Sequence, residues 1–160
     1  MRSYQVDVLE GKTYRRGLNR LTKLVAKRGD WQRLLGEQKA LEELILATGG
    51  HLRDLIRLLQ TVTIEARSLP ADASTRRSAL ERLRAQFTPI PDDDARWLAE
   101  IARSRHAELG TLSKVGTLAR YFDSHLVLCY HNGAEWYDVH PIVRELVLEQ
   151  AARPKSIGNG

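Results

Sequence analysis

The chain has 160 residues, of which 42% are hydrophobic and 28% charged, proportions typical of a globular protein with one sizeable core or two small ones. No apolar run approaches membrane-spanning length and the N-terminus has no apolar signal-peptide segment, so we expect a cytoplasmic protein without membrane contact. The single Cys129 excludes an internal disulfide and fits a reducing compartment.

The net charge of +5 is concentrated at the N-terminal end. Residues 1–28 hold eight Lys or Arg and two acids, whereas the rest of the chain holds 17 basic and 18 acidic side chains. Any contact with nucleic acid is therefore expected first from this end, through Arg15, Arg16, Arg20 and Lys23.

Residues 1–68 predict a small helical unit with a leading strand. Weak alternation of apolar side chains indicates the strand over residues 3–9, and apolar spacing predicts a helix over residues 17–28. Asp30 is then placed to cap a short helical turn that Gly36 closes.

Two further helices meet at a double glycine, Gly49–Gly50. Apolar side chains recur at helical spacing on both sides of it, and the second helix is predicted to run to about residue 67. Gly49 suits the left-handed position that ends a helix, because it has no Cβ. Arg53 falls in the first turn of the second helix, where a cation opposes the helix dipole unless an anion binds nearby.

The segment Gly-Gly-His-Leu-Arg at residues 49–53 resembles the sensor-2 segment in the lid domain of bacterial AAA+ and STAND-type P-loop ATPases. The resemblance implies that Arg53 reaches the terminal phosphates of ATP from the lid, with Gly49, Gly50 and His51 beside it. A guanidinium suits that role because its planar fork pairs with phosphate oxygens. The residues alone also permit a plain helical hairpin with a solvated Arg53.

Residues 69–91 are predicted to form a linker and a connecting helix, which Pro89 and Pro91 end. The next helix begins with three carboxylates at residues 92–94, where the helix dipole favours them, and is predicted to run to Gly110. We interpret these carboxylates as caps, because consecutive side chains point in different directions and do not converge on a metal ion.

The clearest local signal is a β-hairpin. Residues 126–130 are rich in strand-forming side chains, Asn132–Gly133 is a favoured two-residue turn, and residues 136–139 predict the return strand. Pairing His131 with Ala134 sets five side chains on one face: Leu126, Leu128, Tyr130, Tyr137 and Val139. A helix capped by Ser113 is predicted before the hairpin, and one that begins at Pro141 after it.

This order of helices around a hairpin is that of a winged-helix module, and residues 121–145 resemble the winged-helix region that follows the lid in the same ATPases. Together the two resemblances imply a mainly α chain with four parts. These are a lid-like helical bundle over residues 1–68, a linker and connecting helix over 69–91, a winged-helix module over 92–152 and a flexible tail over 153–160.

The chain departs from these ATPases where their chemistry is performed. It has no Gly-x-x-x-x-Gly-Lys-Ser/Thr loop and no strand that ends in paired acids, so the phosphate cradle and the Mg²⁺ ligands are missing. We therefore expect no enzymatic activity, no catalytic residues and no cofactor in this chain, although ATP and Mg²⁺ are implied for a parent ATPase.

Three functions from different classes follow. The resemblances favour a regulatory, nucleotide-sensing region that meets a P-loop core in cis or in trans and contacts a protein partner through its winged helix. A DNA-binding winged helix is the first alternative, but its helix offers only Lys114 and Arg120, so binding is expected to be weak. The second alternative is a stand-alone adaptor that binds other proteins.

No metal site is predicted from the sequence. His125, Cys129 and His131 are spread too far along one strand to converge on a single ion. The aromatic side chains in the second half are interpreted as core residues rather than as platforms for nucleic-acid bases: Trp97, Tyr121, Tyr130, Trp136 and Tyr137.

Overall fold

The computed structural model describes residues 15–107, 112–131 and 135–153. Within these ranges lie eight helices and two strands: α1 (Arg15–Ala26), α2 (Trp31–Leu35), α3 (Gln38–Ala47), α4 (Leu52–Glu65), α5 (Ala73–Ala85), α6 (Asp92–Ser104), α7 (Leu112–Asp123), β1 (Val127–His131), β2 (Glu135–Val139) and α8 (Pro141–Ala152). The prediction of a mainly helical chain with one hairpin is confirmed. Three predicted features lie wholly or almost wholly outside the described residues: the strand over 3–9, the Asn132–Gly133 turn and the tail over 153–160.

The first five helices enclose one cluster of buried apolar side chains. Helix α1 contributes Leu18, Leu21 and Val25, which share one face at helical spacing. The predicted cap of α2 is confirmed, because the Asp30 carboxylate accepts a 2.9 Å hydrogen bond from the backbone N–H of Arg33. Helix α5 completes this core, so the first cluster extends well beyond residue 68.

The junction of α3 and α4 is a tight, fully bonded reversal. Gly49 and Gly50 have φ angles of +57° and +74°, which confirms the left-handed conformation predicted for Gly49. The Gly50 N–H donates to the Ile45 carbonyl at 3.2 Å and the Gly49 N–H to the Leu46 carbonyl at 3.0 Å. These two bonds satisfy the last carbonyls of α3 and direct the chain into α4.

The second core is formed by α6, α7, the hairpin and α8. The three acids at residues 92–94 occupy the first turn of α6, as predicted. Trp97 and Tyr121 are buried in this core with ring centroids 5.7 Å apart, and Tyr130 and Trp136 are buried in a small cluster beside it. These burials favour the interpretation of the aromatic side chains as core residues.

Two helix boundaries differ from the predictions. Helix α6 ends at Ser104 rather than near Gly110, because Arg105 takes a left-handed φ of +62°. Its guanidinium pairs with Asp138 of β2 and lies over the Trp136 ring, 5.4 Å from the centroid. The local apolar spacing is thus overruled by contacts with the hairpin. Helix α7 already begins at Leu112, so Ser113 is inside the helix and not its cap.

The hairpin register differs by one residue from the prediction. His131 pairs with Glu135 and Tyr130 with Trp136, so three residues rather than two separate the paired ends. Because strand side chains alternate, this slip turns the whole return strand over. Leu128, Tyr130 and Trp136 form one buried cluster, whereas Val127 and Val139 belong to the second core.

The two cores are in contact at several points. Phe87, just after α5, packs against both clusters. The Arg84 guanidinium donates a 2.9 Å hydrogen bond to the carbonyl of Ile142 in α8. The division into two domains with a linker over residues 69–91 stays a prediction. None of the helices in the described ranges combines the length and the apolar character that a membrane span requires.

Candidate functional site

The hairpin and α8 close directly over the Gly49–Gly50 turn. The Tyr130 hydroxyl donates a buried 2.8 Å hydrogen bond to the Gly49 carbonyl. A Cβ atom on Gly49 would lie 2.6 Å from Leu128 Cδ1, 2.7 Å from the Tyr130 hydroxyl and 2.9 Å from Pro141 Cδ. The turn therefore has no room for a side chain, and the glycine is required for contact as well as for conformation.

Asp54, in the first turn of α4, is the centre of a buried polar cluster. Its Oδ2 atom lies 2.7 Å from His51 Nδ1, 3.3 Å from His125 Nδ1 and 3.7 Å from His140 Nε2. The carboxylate is 2% exposed, so its charge depends on these neighbours rather than on water. Three of the chain's five histidines, from three separate segments, thus surround one carboxylate oxygen.

Local structure explains how each imidazole reaches Asp54. His51 is the residue before α4 and stands one helical turn from the carboxylate. His125 has a left-handed φ of +61° at the passage from α7 to β1. His140 precedes α8, and its Nδ1 accepts a 3.3 Å hydrogen bond from the Ile142 N–H. In neutral His140 the proton is then on Nε2, the atom that faces Asp54.

The environment sets the charges in this cluster. Burial alone would raise the pKa of Asp54, but the imidazoles of His140, His51 and His125 outweigh it and hold that pKa well below its usual range. Burial, followed by the charges of His51 and Arg53, lowers the pKa of His125 against the attraction of Asp54. Burial also lowers the pKa of His140. At neutral pH the carboxylate is therefore ionised and these two imidazoles are neutral.

The four residues predicted to form one nucleotide site lie in two different environments. Gly49, Gly50 and His51 are buried beneath the hairpin, and the His51 ring lies 3.9 Å from that of His125, centroid to centroid. Arg53 is exposed, although it is the immediate neighbour of the buried Asp54. Within one helical turn, Arg53 therefore faces solvent, whereas the next residue, Asp54, faces the hairpin module.

The candidate nucleic-acid residues lie on two separate helices. Arg15, Arg16, Arg20 and Lys23 are exposed on α1, where the Arg15 guanidinium also contacts Glu42 at 3.2 Å. The Lys114 ammonium lies over the Trp97 ring, 5.5 Å from its centroid. Arg120 donates to the Thr117 hydroxyl of its own helix at 3.3 Å. The basic side chains of α7 are thus partly engaged with the protein itself.

An open groove of about 980 Å³ lies between the α1–α2 turn and α4. Its walls are mainly apolar and include Ile64, which is 83% exposed, and Leu69, which is 50% exposed. Arg28, Asp30 and Arg33 are its charged side chains, and Asp30 is engaged in capping α2. The groove offers an apolar contact surface rather than a reactive site.

Sequence reasoning missed Asp54, His125 and His140 as members of a site. His125 was considered only with Cys129 and His131, whereas in the structure it turns toward Asp54, far back along the chain. No spacing rule connects these positions, because the fold alone brings them together. His140 before Pro141, at a predicted helix start, was the one local signal available.

No protein-family model, no curated protein and no solved structure matches this chain.

Proposed function

We propose that this chain is the C-terminal, nucleotide-sensing region of an AAA+/STAND-like P-loop ATPase, with a winged-helix module that relays the nucleotide state to a protein partner. The main observation behind the proposal is that two adjacent residues lie in opposite environments. Arg53 is exposed, and Asp54 is buried against histidines of the hairpin module.

Arg53 has the properties that a phosphate sensor needs. Among the described residues no carboxylate lies within ion-pair distance of its guanidinium, so the charge remains available to an external anion. It stands in the first turn of α4, where an anion would also meet the positive end of the helix dipole. A terminal phosphate bound there would offset the unfavourable interaction of the Arg53 charge with the positive end of the helix dipole.

The same turn supplies a physical route to the hairpin module. Movement of Arg53 would act through one peptide unit on Asp54, whose carboxylate faces His125 and His140. The Arg53 charge also contributes to the lowered pKa of His125, so an anion paired with Arg53 would raise that pKa again. At the other end of the turn, the Gly49 carbonyl accepts a hydrogen bond from the Tyr130 hydroxyl. Lid and hairpin are therefore coupled both by packing and by charge.

In this proposal the chain supplies only one group to the nucleotide site. ATP and Mg²⁺ would be held by a P-loop core, either in the same polypeptide or in a partner, because this sequence has no phosphate-binding loop. The hairpin module would then contact a protein rather than DNA, since residues 111–160 carry five basic and five acidic side chains. The location expected for such an assembly is the cytoplasm.

Nuclear magnetic resonance of the chain titrated with Mg·ATP tests the proposal. Amide signals of residues 49–54 should shift at millimolar nucleotide, together with signals of β1, which contacts the same turn. Arg53→Ala should abolish both sets of shifts. Arg57→Ala is the matched control, because Arg57 is exposed on α4 one turn beyond the helix N-terminus. Equal shifts in the two variants, or none in residues 49–54 of the unmodified chain, would contradict the sensor role.

A further inference from the structure

The atoms that converge beside the Gly49–Gly50 turn are metal-ligand atoms at metal-ligand spacing. One donor atom from each of His51, Asp54 and His125 can be chosen so that all three lie within 4.8 Å of one another. Tetrahedral Zn²⁺ with bonds of about 2.0–2.1 Å requires donor atoms roughly 3.3 Å apart. The Asp54 Oδ2 atom lies 3.3 Å from His125 Nδ1 and 2.7 Å from His51 Nδ1, a hydrogen bond that a metal ion would replace and lengthen.

The backbone holds one of these donors at a conformational cost. His125 is one of two described non-glycine residues with a positive φ, at +61°. Such a conformation costs of order 1–3 kcal/mol and persists where surrounding structure enforces it. Its effect here is to carry the imidazole back from the start of β1 to Asp54. The imidazole is 16% exposed and forms the solvent side of the cluster.

His140 provides an independent indication. Its side chain is fully buried, and its Nε2 makes no regular hydrogen bond to any described residue, although it faces Asp54 Oδ2 at 3.7 Å. The Nδ1 atom is committed to the Ile142 N–H, so Nε2 carries a proton and serves as a donor rather than as a ligand. Carboxylates that ligate a metal ion are themselves oriented by hydrogen bonds, and the His140 N–H is placed to supply one.

We infer that His51, Asp54 and His125 form a binding site for a divalent transition-metal ion, with His140 orienting the carboxylate. Two imidazole nitrogens with one carboxylate oxygen suit Zn²⁺, whereas Ca²⁺ and Mg²⁺ prefer sites built from oxygen alone. Water can complete the coordination from the side of His125. This inference does not rest on nucleotide sensing, because Arg53 is not among the ligands.

A metal ion at this position would have a structural role. His51 and Asp54 belong to the start of α4 in the first core, and His125 leads into the hairpin of the second. The ligands come from both sides of the contact between the cores, so the ion would fasten α4 to the hairpin. His51 and Asp54 are 1% and 2% exposed, so two of the three ligands would hold the ion away from solvent. We therefore assign no catalysis to this site.

Calorimetric titration of the untagged, chelator-treated chain with Zn²⁺ tests the inference, supported by elemental analysis after dialysis. We expect one equivalent of bound Zn²⁺, and Co²⁺ should give the visible absorption of a tetrahedral site. Asp54→Asn and His125→Gln should each weaken binding by about tenfold or more. His131→Gln should leave it unchanged, because His131 is exposed at the far end of β1.

Three results would overturn the inference. The first is no saturable Zn²⁺ binding by the folded chain, and the second is wild-type affinity in His125→Gln. The third is an equal loss of affinity in His131→Gln, which would indicate unspecific binding by surface imidazoles. If Asp54→Asn does not fold, His125→Gln retains the test, since His125 lies at the solvent side of the cluster and its removal leaves the other donors in place.

Discussion

The hydroxyl of Tyr130 donates a buried 2.8 Å hydrogen bond to the carbonyl of Gly49, a residue 81 positions earlier in the chain. The tight reversal between α3 and α4 leaves this carbonyl without a partner in either helix, and the hairpin supplies one. Because an unsatisfied buried carbonyl is costly, this single contact makes the stability of the turn depend on the hairpin module.

Tyr130→Phe removes this bond while keeping the ring stacked on Trp136, whose centroid is 4.3 Å away. We expect the free energy of unfolding to fall by about 1–3 kcal/mol, the cost of leaving a buried acceptor without its donor. Urea denaturation measures the change. Tyr137→Phe is the control, because that hydroxyl bonds the exposed Glu135 and its loss should have a smaller effect. Equal effects would contradict the importance of the Gly49 contact.

Gly49→Ala tests the close approach of the two cores. The new Cβ would lie 2.6–2.9 Å from Leu128, Tyr130 and Pro141, at a positive φ, so strain and overpacking act together. We expect destabilisation of about 2–4 kcal/mol in thermal or urea unfolding. Gly116→Ala is the matched control, because no atom of the described residues outside its own helical backbone and chain neighbours lies within 4 Å of its Cβ position on α7. That change should stabilise the helix by about 0.5–1 kcal/mol.

Acidification should destabilise the chelator-treated chain between pH 7.5 and pH 5.5. The pKa values of His125 and His140 are lowered on folding, so protons bind the unfolded chain first and stability is lost as pH falls below about 6.5. Asp54 adds nothing in this window, because its pKa lies below the usual 3.8 and it stays ionised. Urea midpoints at the two pH values measure the effect.

His125→Gln should flatten this pH dependence, because one of the two imidazoles with a lowered pKa is removed. An unchanged dependence, or greater stability at pH 5.5 than at pH 7.5, would contradict the assignment of neutral imidazoles to His125 and His140.

The purified chain should not hydrolyse ATP, because phosphoryl transfer needs a cradled, metal-bound triphosphate and this sequence supplies at most Arg53. Phosphate release by the isolated chain measures this, and ATP-specific turnover would refute it. In a parent protein with a P-loop core, Arg53→Ala should weaken nucleotide affinity about tenfold or more, the contribution of hydrogen bonds to a charged group. Arg57→Ala should not.

Binding to DNA should be weak, independent of sequence and lost with added salt. The positive excess lies in residues 1–28, so reversing Arg16 and Arg20 to Glu should abolish the interaction, whereas Lys114→Glu should have little effect. Titrations at two salt concentrations decide between the variants. Tight binding that depends on Lys114 would instead favour the DNA-binding winged helix.

The features that the sequence predicted well are those decided by nearby residues. Asp30 caps α2 through a bond from the N–H group three residues on, so the signal and its partner share one window. The reversal at Gly49 depends likewise on a missing Cβ. Helix starts and turns of this kind can be predicted from a few neighbouring side chains.

The features that were missed are decided by distant contacts. The end of α6 depends on Asp138, 33 residues beyond Arg105. The register of the hairpin depends on which of its two faces packs against Gly49. The histidines around Asp54 converge only when α4, the hairpin and α8 are packed together. Neither periodicity nor spacing contains this information. The role of Arg53 therefore stays a prediction from the resemblance, whereas the buried cluster beside it is visible only in the structure.

The end of α6 also has a consequence for synthesis on the ribosome. Arg105 keeps its left-handed conformation through Asp138 and Trp136, and its carbonyl accepts a 3.0 Å hydrogen bond from the Tyr137 N–H. All three partners emerge from the exit tunnel well after α6 itself. Until the hairpin follows, the end of α6 in the nascent chain is therefore set by the local sequence alone, and the second half of the protein acquires its native contacts late in translation.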